Sequence, residues 1–333
     1  PEEVIAEQIN SFDSFSWFAP LVEKYRNEQF QLFLSKQDEN LFLLNIEEMR
    51  ENNWSKHRKL ASEGVNHNEI AEVIRRDDVE KLKTYDKNVL LMVMPSSPFE
   101  SIDILKNGCT PLHYASFYNS IKCYQYLLEI ESNPFKTDCN GYHAIHFAVS
   151  NNSTAIIEHL MTMNNHKEYE NLLLAGIYHS VLYHQNDLFH NLIHSSKNKP
   201  ELSSLFLIAT KSFNLPIILW CIDQNIDINT CNSSGETALI ITATNWHNEL
   251  VRYFLTLSLI NVNQTDIFGR NALICAIDKN NVEIVKLLIQ DGRTDLNSCD
   301  VSFNFLLKGI QCNKRFMEIL CCILLFEITM LRS

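Results

Sequence analysis

Apolar residues along this chain recur at intervals of three and four, in short runs that themselves repeat. IKCYQYLL (121–128), LPIILWCI (215–222), ELVRYFL (249–255) and VEIVKLLI (282–289) each put their apolar positions on one stripe of a helix. A second helix is predicted ahead of each run. It carries a small residue that lets neighbouring helices approach, at Ala115, Ala148, Val181, Ala209, Thr242 and Ala276. After each run comes a polar segment ending in Asp or Asn: DINTCNSSG from 227, NVNQTDIFG from 261, DLNSCD from 295. These predict tight connections in which Gly supplies a backbone with φ > 0.

The unit has a period close to 33 residues. Gly108 and Gly141 are 33 apart, and Gly235 and Gly269 are 34 apart. Each opens a related string: GCTPLHYAS, GYHAIHFAV, GETALIITA and GRNALICAI. Aligned on Thr110, the units start at Thr110, His143, Gly176, Ser204, Thr237, Asn271 and, weakly, Asn304. The unit 176–203 is shorter, carries SSKNKP (195–200) in place of a hairpin, and has its first helix predicted over 172–183. Pro216 falls in a first helical turn, where proline is tolerated.

The strings TPLHYA (110–115), GETALIITA (235–243), QNIDIN (224–229) and NNVEIVKLLIQDGRTDLN (280–297) resemble the ankyrin repeat. The resemblance covers about residues 104–300. It implies an all-α repeat, an α-solenoid of helix-turn-helix units with short outward β-hairpins, whose stability comes from the interfaces between neighbours. A degenerate terminal or capping repeat is expected over 301–333. Residues 1–103 read as a helical N-terminal domain. In it SWFAPLVEKYRNEQFQLFL (16–34) places Phe18, Leu21, Val22, Tyr25, Phe30 and Phe33 on one stripe, and 67–85 forms a half-repeat around Ile70, Ile74, Val79 and Leu82. The phrases IAEVIRRDDVEKL (70–82) and ASFYNSIKCYQYLL (115–128) resemble a helical domain of unknown function that precedes ankyrin arrays in parasitic protists.

Composition narrows the function. Only 8 Gly and 8 Pro among 333 residues exclude collagen-like and mostly disordered readings and argue against an all-β fold. Lys and Arg total 28 against 40 acids, a formal charge of −12, so no basic face is available to displace the counterions of a nucleic acid. The basic knots are Lys56-His57-Arg58-Lys59 and Arg75-Arg76, the latter expected on a solvated helix face. The longest apolar run, 319–326, has 8 residues against the ~20 of a membrane span. The start PEEVIAEQIN has no apolar signal segment, and the ten cysteines sit mostly alone in helical patterns. Both features lead us to expect reduced thiols in a cytoplasmic protein. Pro1 in place of Met suggests that the chain begins inside a longer reading frame or after processing.

Local chemistry is sparse. No Gly precedes a Lys, and HExxH and GxSxG are absent, so no nucleotide cofactor, catalytic residue or resident metal is expected. His113 and His146 occupy the same place in the TPLH-like strings, and there the resemblance implies a structural hydrogen-bonding role. His179, His184, His190 and His194 are dense, but with Asp187 as the sole nearby acid and no nearby Cys they are not expected to hold zinc. Cys139, Cys231 and Cys299 are expected near hairpin tips. The resemblance implies a monomeric adaptor or scaffold without catalysis, binding unidentified proteins through hairpin tips and the concave helix surface. Carried over by position, the contact residues are Phe117, Tyr118, Tyr142, Glu236, Trp246, Phe268 and Arg270, with inward packing as the competing role for the aromatics. The alternative is a targeting or regulatory region of a larger protein whose enzyme domain lies elsewhere.

Overall fold

The structure, a computed structural model, describes residues 12–35, 46–95, 97, 99–106, 109–131, 133, 135–163 and 168–295. The expected terminal repeat 301–333, Cys299 and the hairpin Gly108 lie outside the described residues. The chain divides after Ala175 into two compact units. Among the described residues the elements are helices, and the hairpins reduce to isolated antiparallel bridges, Thr137 with His143 and Cys231 with Thr237.

In the first unit, helices Phe12–Tyr25 and Asn27–Ser35 pack an aromatic core with a third, Ile46–Glu63, which is kinked at Glu51 to Trp54. Phe15, Ala19, Val22, Phe30 and Phe33 are buried, with the Phe15 and Phe33 rings stacked 4.3 Å apart. Phe18, expected on the buried stripe, is exposed. Within the helix Phe12–Tyr25 the buried face runs through Phe15, Ser16, Ala19 and Val22, and Phe18 falls at its edge. Beyond this core, first helices Glu69–Arg75, Pro111–Phe117 and Ala144–Ser150 pack side by side. Second helices Val79–Leu82, Ile121–Glu131 and Thr154–Met161 form the adjoining row. The half-repeat 67–85 is thus stacked in register with the repeat at 110. Asp77 joins the two by accepting from the backbone N–H groups of Lys122 and Cys123. Arg75, expected in solvent, turns inward and donates to the Asn66 carbonyl and to Tyr114 Oη at 2.7 Å.

In the second unit, first helices Leu202–Lys211, Ala238–Thr244 and Ala272–Asp278 pack in sequence. Second helices Leu215–Asp223, Asn248–Thr256 and Val282–Gln290 back them. Pro216 sits in the first turn of its helix as expected. The first helix expected over 172–183 runs Tyr169–Leu182, with Gly176 inside it as expected and three more residues at its N-terminus.

Asparagine side chains tie one repeat to the next. Asn229 donates to Leu259 O and accepts from Asn261 N–H, and Asn263, 34 residues on, does the same with Arg293 O and Asp295 N–H. Buried Asn214 reaches Val181 O and Asn186, and buried Asn281 reaches Asn248. Such bonds satisfy backbone groups that stacking would otherwise strip of water, at a net gain of roughly 0.5–1.5 kcal/mol each.

Candidate functional site

Three hairpin tips share one geometry. Asp138, Asn232 and Asp266 each accept, through Oδ1, from backbone N–H groups two and four residues on, while the N–H of the glycine three on returns to their carbonyl. This explains the recurring Asp/Asn three residues before Gly. The acidic or amide side chain closes a loop that Gly141, Gly235 and Gly269 complete at φ of 84°, 75° and 75°. The tips differ in what they expose: Cys139 and Asn140, then Ser233, then Ile267 and Phe268, the last 72% exposed. Arg270 lies 5.1 Å over the Phe268 ring and forks onto Asp266.

In the second unit a groove of about 750 Å³ runs between the hairpin at 231–236 and the first helices on either side of it. Glu201, Ser204, Leu207, Ile208 and Lys211 line it from helix Leu202–Lys211 and its N-cap. Their spacing of three to four makes them one helical face. Cys231, Asn232 and Glu236 line it from the hairpin, and Ile241, Thr244 and Asn245 from the next first helix and its end. Glu201 accepts from Ser203 and Ser204 hydroxyls, each at 2.7 Å, and these bonds hold its carboxyl below the ordinary carboxylate range. Glu236 Oε2 accepts from Asn232 Nδ2 at 2.8 Å.

The residues expected as contacts divide sharply. Phe117 is buried and packs against Tyr118, and its carbonyl accepts from Asn151 and Ser153 of the next repeat; it belongs to the packing, because its helix face meets a neighbour. Tyr118 is half-buried, 4.8 Å from the Tyr114 ring, and desolvation raises its phenol pKa. Tyr142 is partly exposed with its ring 5.2 Å from His146. Glu236 lines the groove, and Trp246 and Phe268 are exposed. Trp246 holds φ of 64° in the turn between paired helices, where other repeats place Asp77, Asn119, Asn152, His184, Phe213 and Asn280, so Phe213 and Trp246 are the two large aromatics in that place among the described residues. A bulky residue there is costly, so an exposed tryptophan in that place is a feature to explain. Sequence reasoning missed Glu201, Ser204 and Lys211. The available signal was a polar stripe at three-residue spacing on an otherwise apolar first helix.

The histidines go to structural places. His113 Nδ1 lies 2.9 Å from Thr110 Oγ1 at the start of its helix, and burial pushes its pKa down to about 4. His146 repeats this with His143, and burial lowers it likewise to about 4. His184 Nε2 meets Ser212 O at 2.9 Å, and His190 lies against the rings of Phe189 and Trp220. No group of three metal-ligating side chains converges among the described residues. Among them, too, no helix is long and apolar enough to cross a membrane. Of the described cysteines, Cys109, Cys123, Cys221 and Cys275 are buried thiols, while Cys139 and Cys231 are exposed.

Comparisons with known proteins agree with this geometry. The sequence model of the family described as "Ankyrin repeats (3 copies)" matches residues 61–171 and 205–300. The interval between those segments, 172–204, holds the whole unit that lacks a hairpin, and the first segment reaches back to include residues 67–85. Among solved structures the chain is similar to the human ASB11 ankyrin repeat domain. Identity is 17%, over 68% of this chain and 98% of that one, with a TM-score of 0.46. No curated protein matches. With more than half of its residues inside the family match, and with the same capped first helix, paired second helix and Asp/Asn-closed tip recurring, the chain belongs to the ankyrin-repeat family, whose repeats are protein–protein interaction modules.

Proposed function

We propose that this chain is a non-catalytic adaptor or scaffold that grips a partner protein through its hairpin tips and the groove beside them. One observation carries the reading. The groove has an apolar floor and polar walls, and the next hairpin, bonded to it through Ile267 N–H to Ser234 O at 3.0 Å, presents exposed Phe268 under Arg270. Aromatic and Arg side chains dominate interface energies, and single hot spots there are worth about 2 kcal/mol or more. A groove of this size accommodates a few partner side chains. Exposed thiols at Cys139 and Cys231 fit a reducing, cytoplasmic setting.

The test is to recover a partner by pull-down with the full chain, then to measure its Kd for wild type, Phe268→Ala and Trp246→Ala. Weakening by about thirty-fold or more, equivalent to about 2 kcal/mol, at unchanged melting temperature supports the assignment. Unchanged affinity with a lowered melting temperature refutes it and makes these rings packing elements.

A further inference from the structure

The groove of the second unit is charged differently at its two ends. We infer that it receives an extended protein segment carrying a basic side chain, an apolar one two residues on and an acidic one two residues beyond that. This deepens the interaction-module reading and rests on it.

The argument starts from the helix Leu202–Lys211. Glu201 to Lys211 spans ten residues on one face, about 15 Å at 1.5 Å per residue. The hairpin adds Glu236, so the groove's two carboxylates both stand just before the start of a first helix, Glu201 before Leu202–Lys211 and Glu236 before Ala238–Thr244. Neither is loose: two serine hydroxyls hold Glu201, and the Asn232 amide holds Glu236. These donors are neutral, so both negative charges remain uncompensated for a ligand's ammonium or guanidinium, the stronger charge-assisted type of hydrogen bond. At the other end, exposed Lys211 is accompanied by the neutral Thr244 and Asn245. The floor between is Leu207, Ile208 and Ile241.

The dimensions select the ligand's conformation. In an extended chain, alternate side chains face one way, and residues four apart lie about 13 Å apart at ~3.3 Å per residue. That matches the Glu201–Lys211 span once side-chain reach is included. Two chain directions satisfy the same charges, so the motif is basic-x-apolar-x-acidic or its reverse.

The probe is a library of nine-residue peptides with Leu fixed at the centre and the other positions randomised, selected on the full chain and sequenced. Expected is enrichment of Lys or Arg two positions to one side of the Leu and of Asp or Glu two positions to the other. A selected peptide should lose about tenfold or more in affinity for Lys211→Glu. Changing that peptide's acidic residue to Lys should restore binding to this variant. Glu201→Gln with Glu236→Gln should remove the basic preference. All these residues sit at the surface or groove wall, and far-ultraviolet circular dichroism melts verify that the variants are folded. Absence of charge enrichment, enrichment of one sign at both ends, or a Lys211→Glu variant with unaltered preference overturns the inference. A partner whose affinity falls with Phe268→Ala but not with Lys211→Glu would also overturn it while leaving the interaction-module reading standing.

Discussion

Gly235→Ala and Gly269→Ala form a controlled pair. Both glycines close hairpin tips at φ of 75°. Among the described residues, a Cβ at Gly269 meets nothing within 4 Å, whereas one at Gly235 falls 3.0 Å from Ile267 N, 3.1 Å from Asp266 Cα and 3.2 Å from Asp266 C. The left-handed conformation costs an alanine about 1–2 kcal/mol at either place. Alanine's smaller unfolded-state entropy offsets about 0.4–1 kcal/mol of that. Gly269→Ala should therefore cost about 1 kcal/mol. At Gly235 the obstructing atoms are backbone of the next hairpin and cannot rotate away. Overpacking adds about 1–3 kcal/mol, and the Ile267 N–H to Ser234 O bond at 3.0 Å, worth roughly 0.5–1.5 kcal/mol net, is strained or lost. A total near 3 kcal/mol is expected for Gly235→Ala. Urea unfolding of both variants against wild type measures the difference, and amide exchange at Ile267 reports the hydrogen bond directly. Equal costs for the two variants, or an Ile267 amide as protected as in wild type, would refute the claim that hairpin stacking, rather than backbone conformation alone, requires Gly235.

Acid should weaken the array through His113 and His146. Their folded pKa values lie near 4, below the ordinary 6.5, so the stability from keeping them neutral is present above 6.5 and is lost as pH falls toward 4. For buried His113 the loss amounts to roughly 3 kcal/mol, and a urea midpoint that stays flat from pH 7 to 4 would contradict it. Hydrogen exchange should be faster over 176–203 than over 237–289. The connection after Ser195 is held by Lys199 Nζ on Ile193 O, in place of the Asp/Asn-closed tips at 232–236 and 266–270; equal protection would remove that segment as the weak point.

Much of this protein was determined by local sequence. The three-and-four spacing of apolar residues specifies paired helices, and each tip needs only an Asp or Asn to accept two nearby N–H groups and a Gly three residues on. His113 and His146 act within their own first turns, so the repeated string reveals their role. What repeats bury against one another was decided only by tertiary structure. Phe117 and Phe268 both read as contact candidates, yet one is packed under the neighbouring repeat and the other stands at a tip. Arg75 follows the pattern of a solvated helix face, but Asn66 and Tyr114 draw it inward. Glu236 lines one groove with the helix Leu202–Lys211, which begins 34 residues earlier. Gly235 and Gly269 are equivalent in sequence and in φ, and among the described residues they differ in whether another backbone lies against them. Periodicity encodes each unit because its bonds span a few residues. Exposure, charge pairing and close approach depend on partners about thirty residues away, whose distance no local pattern contains.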